Sequence, residues 1–74
     1  MDEVELFFEY LPVKDHEEIL KGIANDIKRE KLQNEQKYID FMISLISEDI
    51  KIYSKYDSRL LTLSPEKIAR SLLN

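Results

Sequence analysis

His16 is the only histidine in the chain, and carboxylates stand on both sides of it at Asp15 and Glu17. An imidazole beside a carboxylate is a pairing that general-base catalysis uses, but the base must also lie within ~2.6–3.2 Å of the group whose proton it takes. No serine, threonine or lysine is set by its spacing to be that group. We therefore expect His16 to be a solvated surface residue and the protein not to be an enzyme. Glu17–Glu18 and Glu48–Asp49 are adjacent carboxylates. Successive helical residues point about 100° apart, so neither pair can share a proton or a metal on its own. The Glu-x-x-His spacing of di-metal helical bundles is absent, and there is no cysteine to supply a thiolate or a disulfide. The expectation is solvated carboxylates, no metal and no cofactor.

Lys28, Arg29, Lys31 and Lys37 form the one basic cluster, interrupted by Glu30 and Glu35. Such a cluster can meet phosphates, which gives the alternative functional reading: a nucleic-acid-associated factor, an accessory of replication or transcription. The whole chain opposes it, with 15 acidic against 11 basic residues and a net charge of −4. An acidic surface repels a phosphate backbone unless its bases are gathered on one face. We expect these four side chains to make intrahelical pairs or to meet an acidic protein, without direct nucleic-acid contact.

Around these groups the elements are organised by residues 38–56, YIDFMISLISEDIKIYSKY, which contain no glycine or proline. At 100° per residue their apolar side chains cover more than the roughly 100° stripe that one packed face needs. Upstream, Asp15 looks like an N-cap with Glu18 completing a capping box, so a helix should start near His16. Ile19, Leu20, Ile23, Ala24 and Ile27 follow at helical spacing, and Gly22 weakens that helix by about 1 kcal/mol unless a neighbouring backbone approaches it. Residues 28–37 hold a single apolar side chain, Leu32, and are otherwise strong helix formers. Leu32, Ile39, Ile46, Tyr53 and Leu60 recur every seven residues, which together with propensity favours one helix from about His16 to Tyr56. A hairpin turning near Gln33–Asn34 is the rival.

Residues 3–11 read two ways. Val4, Leu6, Phe8 and Tyr10 alternate as in a strand, whereas Val4, Phe7, Phe8 and Leu11 fall on one helix face. Pro12 ends either element. We favour a short amphipathic helix folded back on the main helix. Asp57–Ser58 is a weak break. Ser64 as N-cap, Pro65 at the first helical position, and Glu66 with Arg70 start a last helix, whose apolar side is Ile68, Ala69, Leu72 and Leu73.

The segment LSPEKIARSLLN is similar to the first helix of helix-turn-helix domains, over Ile68–Leu72, but residues 1–74 hold no recognition helix beside it, so DNA reading of that kind is not expected of them. IKREKL at 27–32 with LTLSPEKIA at 61–69 resembles the helical part of GINS replication subunits, although the β-rich domain of that family is missing.

The expected fold is all-α: a short N-terminal element (1–12), a long central helix, hinged or folded as a hairpin (15–57), and a short C-terminal helix (64–73). At 74 residues one core rarely supplies more than ~3–5 kcal/mol, so oligomerisation or a partner is expected to complete it. We expect a small protein–protein interaction module, an accessory subunit or regulator of a larger assembly. It would bury an apolar helix face on a partner or on a second copy. The docking residues would be Phe7, Phe8, Tyr10, Phe41, Met42, Leu45, Ile46 and Tyr53, with Phe7, Phe8 and Tyr10 as a partner-facing patch between acidic neighbours. The sequence opens on Asp2 and Glu3 rather than on a basic, apolar leader, and its apolar runs fall short of the ~20 residues of a membrane span. The expected setting is cytoplasmic, with no membrane contact.

Overall fold

Four side chains of one helix, Ile39, Met42, Ile46 and Ile50, are buried at intervals of three and four residues along Gln36–Tyr53. Their spacing places them on one face, and an uninterrupted run without glycine or proline lets the helix extend over 18 residues. The computed structural model describes residues 2–74. In chain order the helices are α1 (Glu3–Phe7), α2 (Leu11–Lys14), α3 (Glu17–Arg29), α4 (Gln36–Tyr53) and α5 (Pro65–Leu73), with a 3-10 turn at Ser58–Thr62 before α5. The protein is all-α, with no strand among the described residues.

The single long helix is replaced by two. The chain turns at Lys31, whose φ of 59° is left-handed. Leu32 N–H donates to the Ile27 carbonyl and Lys31 N–H to that of Lys28, both at 3.0 Å. These crossed bonds form a Schellman ending, in which the residue beyond the left-handed one closes an apolar contact on the last turn. Leu32, the only apolar residue of the polar stretch, fills that role and packs against the core. The chain restarts from extended Glu35, where the seven-residue pattern fails. Propensity favoured continuity, but only a fold-back lets Ile27 and Ile39 reach the same core.

What α3 and α4 share is α5. The Ser64 hydroxyl accepts from the N–H of Lys67 at 3.3 Å, Pro65 occupies the first turn, and Arg70 pairs with Glu66 at 3.0 Å. Ile68, Ala69, Leu72 and Leu73 are all buried, and the three large side chains contribute roughly 2 kcal/mol of burial each. They pack α5 chiefly on α4, but also on α3 and α1. Direct approach between α3 and α4 is slight by comparison. The C-terminal helix is thus the centre of the bundle and not a cover on one side of it.

The helical reading of the N-terminal segment is the one adopted. Asp2 caps α1 by accepting from Glu5 N–H at 2.9 Å. The helix stops at Phe7, well before Leu11, and it lies on α5 instead of on α4. Pro12 sits in the first turn of α2, where its missing N–H costs nothing, so it starts an element instead of ending one. Asp15 does not cap α3. Its own backbone is helical at φ −63°, ψ −22°, because α2 runs almost directly into α3, and a cap residue must be extended to turn its side chain back. Arg59 holds this N-terminal corner to the 3-10 turn, bonding Glu9 at 3.2 Å and Asp57 at 2.7 Å.

Candidate protein-docking groove

Because α5 holds α3 and α4 from behind, the opposite side between them stays open. The two helices run in opposite directions there. Ile23, Asp26 and Ile27 face Lys37, Tyr38 and Phe41 around a hollow of ≈ 470 Å³. Further along, His16, Ile19, Leu20 and Ile23 face Leu45, Glu48 and Asp49 around one of ≈ 190 Å³. Ile23 borders both, so they form one groove. Its walls are apolar and wet: Ile19 is 63 % and Phe41 49 % exposed.

The residues expected to dock are divided by the fold. Phe7 and Phe8 are 0 % and 3 % exposed, with ring centroids 4.9 Å apart, and belong to the core with Met42 and Ile46. These four therefore do not form a surface, and the N-terminal aromatic patch is a correction to the expectation. The chain is too short to leave such rings outside; each contributes about 2–3 kcal/mol when buried. Tyr10 and Tyr53 are half-buried and packed on each other at 5.9 Å, while Phe41 and Leu45 lie in the groove. Ile19, Ile23 and Tyr38 were not among the expected docking residues. The signal for the first two was present: Ile19 and Ile23 widen the apolar arc of α3 beyond what Leu20, Ala24 and Ile27 need.

His16 and Asp49 are not the solvated residues their neighbours suggested. Nδ1 of His16 is 3.2 Å from each carboxylate oxygen of Asp49, which is only 9 % exposed. The ring also faces Tyr53 at 6.3 Å. Sequence spacing gave no hint, since the pair joins the start of α3 to α4. What the contact does chemically is to satisfy a buried carboxylate at one end of the groove. Among the described residues no group of three or more side chains converges as a metal ion requires.

The charge at the groove changes from end to end. At 100° per residue, Asp26 and Glu30 border it on α3, with Glu18 and Arg29 next outward. On the α4 side the lining charges are Lys37 at the wide end and Glu48 with Asp49 at the narrow end. Of the basic cluster, Arg29 is engaged by Asp26 at 3.2 Å and Glu30 at 3.7 Å, and Lys37 lies over the Tyr38 ring and 4.0 Å from Glu35. Lys31 occupies the left-handed turn, and Lys28 is half-buried beside Ala24 and Leu72. No helix among the described residues is long and apolar enough to cross a membrane. No protein-family model, no curated protein and no solved structure matches this chain significantly.

Proposed function

We propose that this protein is a helical protein–protein interaction module that docks through the groove between α3 and α4, serving as an accessory subunit or regulator of a larger assembly. One observation carries the reading: a continuous apolar groove, lined by Ile19, Ile23, Tyr38, Phe41 and Leu45, lies open on one side of a chain that buries the rest of its α4 face. Exposed apolar surface of this kind, rimmed by charge, is the usual mark of a recognition site. A helix laid between two helices is one of the recurrent ways such a groove is filled. The nucleic-acid reading has less support, because Arg29 is held between two carboxylates and Lys37 is turned over a tyrosine ring.

The test is cross-linking in cells that express the chain, comparing the wild type with Phe41→Asp and Ile23→Asp, and with Leu61→Asp as a control outside the groove. Adducts, with itself or with another protein, should vanish in the two groove variants and persist in the control. Adducts unchanged in all three would remove the groove from the function.

A further inference from the structure

The two ends of the groove ask for different side chains. At the wide end the hollow of ≈ 470 Å³ has apolar walls in Ile23, Ile27, Tyr38 and Phe41, and its two charges are already engaged. Asp26 is held by Arg29 at 3.2 Å, and Nζ of Lys37 lies 5.1 Å from the centroid of the Tyr38 ring. That end takes a bulky apolar side chain. At the narrow end Ile19, Leu20, Ile23 and Leu45 make apolar walls beside Glu48 and Asp49, and among the described residues no lysine or arginine lines it. His16 is committed to Asp49, which is buried. Glu48 is exposed and, among the described residues, has no ion pair. A carboxylate without a counter-charge beside an apolar hollow matches one kind of side chain, a lysine or arginine, whose methylene stem lies along apolar surface while its charged head reaches out.

We propose that the groove binds a cationic amphipathic helix of another protein, with a large apolar side chain in the wide hollow and a lysine or arginine set against Glu48. The spacing follows from α4. The wide hollow lies against residues 38–41 and the narrow one against 45–49, so their centres are about seven residues, or ~10 Å, apart along the helix axis. On a helix laid along the groove the same span is two turns, which puts the two anchors at i and i+7 on one face, in either chain direction. A further apolar residue at i+3 or i+4 then lies over Ile23, which borders both hollows. Charge at longer range favours the same occupant. The chain carries a net charge of −4, which draws a basic segment in, whereas an acidic one is opposed both by that field and by Glu48 itself.

This occupant rests on the groove being the docking face, and the experiment separates the two. A displayed library of alanine-based helical peptides, randomised along one face, is selected on the wild type, on Glu48→Lys and on Phe41→Asp, each shown by circular dichroism to be folded. The wild type should enrich peptides with a large apolar residue and, seven positions from it, a lysine or arginine; Phe41→Asp should enrich none of these. Glu48→Lys should bind the selected peptide roughly tenfold more weakly, and its own selection should exchange the base for aspartate or glutamate at that one position. Peptides that depend on Phe41 but carry no base there, or that Glu48→Lys binds equally well, overturn the cationic occupant and leave the groove as the docking face. Failure to enrich any peptide, or equal enrichment on Phe41→Asp, overturns the docking face as well. Sedimentation velocity of the wild type alone covers the other occupant: a dimer that Phe41→Asp dissolves gives the groove to a second copy and overturns the cationic partner.

Discussion

His16 and Asp49 meet at 3.2 Å although they are thirty-three residues apart, and they are the one side-chain hydrogen bond found between α4 and the start of α3. Since α3 and α4 touch little elsewhere, this polar contact fixes the width of the groove at its narrow end. His16→Ala leaves a carboxylate that is 9 % exposed without its partner, and should destabilise the fold by about 1–2 kcal/mol in urea denaturation. In a double-mutant cycle with Asp49→Asn the two losses should fall short of additivity by about 0.5–1 kcal/mol. Strict additivity would mean that the contact contributes nothing.

Two backbone positions should give stability when changed. Lys31 has a side chain at φ 59°, where glycine is at ease, so Lys31→Gly should raise stability by about 0.5–1 kcal/mol. Gly22 lies on the exposed side of α3, and a Cβ built there meets nothing within 4 Å. Gly22→Ala should therefore add about 0.5–1 kcal/mol. Both are read as a shift in the urea midpoint at constant slope, and a loss in either case contradicts the backbone argument.

Phe41 and Ile46 are five residues apart on α4 and separate docking from folding. An aspartate at Ile46, which is fully buried, should cost about 4 kcal/mol or more, most of what a domain this size has. Phe41→Asp should keep the helical spectrum and lose the cross-linked adducts made through the groove. A folded Ile46→Asp variant, or a Phe41→Asp variant that unfolds, would show that the two faces have been assigned the wrong way round.

Acid should loosen the corner where the N-terminal link meets the 3-10 turn. The side-chain hydrogen bond from Arg59 holds the Asp57 carboxyl below its ordinary value, helped by the Arg59 N–H and its charge, while desolvation opposes them. Arg59 is correspondingly held in its charged form, by Asp57 first and then Glu9. A carboxylate whose folded pKa is depressed stabilises above its unfolded value, and the contribution disappears as pH falls through the folded one. Stability should thus decline on the acid side of the ordinary aspartate range. In Asp57→Asn that part of the slope should be missing; an identical acid slope in the variant would assign it to other carboxylates.

The sequence was legible where a local rule operated alone. Ser64, Pro65 and Glu66 announced α5, and the uninterrupted apolar run of residues 38–56 announced the helix α4, though Met42 and Ile46 of its buried face were expected to dock. It misled where two local rules competed. Strong helix formers filled residues 28–37, and the decisive residue was Leu32, whose lone apolar side chain marks a Schellman ending more than a heptad position. Pro12 was read as a stop and acts as a start. The groove was half visible: Phe41 and Leu45 were expected to dock, but their opposite wall, Ile19 and Ile23, depends on how α5 holds α3 from behind. The wide apolar arc of α3 offers Ile19 and Ile23, but only tertiary packing sets them opposite Phe41 and Leu45, as it alone brings His16 to Asp49.

The position of α5 also decides the order in which the molecule can assemble. A helical hairpin usually gains its first lasting contacts between its own two helices, soon after the turn closes. Here α3 and α4 have little to gain from each other, so the turn at Lys31 forms without reward. The earliest productive encounter is α4 with α5, across the short link of residues 54–64, which keeps loop-closure cost low and folding fast. Substitutions at Met42 and Ile68 should therefore slow folding, with φ-values about 0.5–0.8, whereas Ala24 and Ile27 should act almost wholly on unfolding. With those φ-values α3 would be a late arrival in kinetic terms, and a binding face built half on a late element would open more readily than the core behind it.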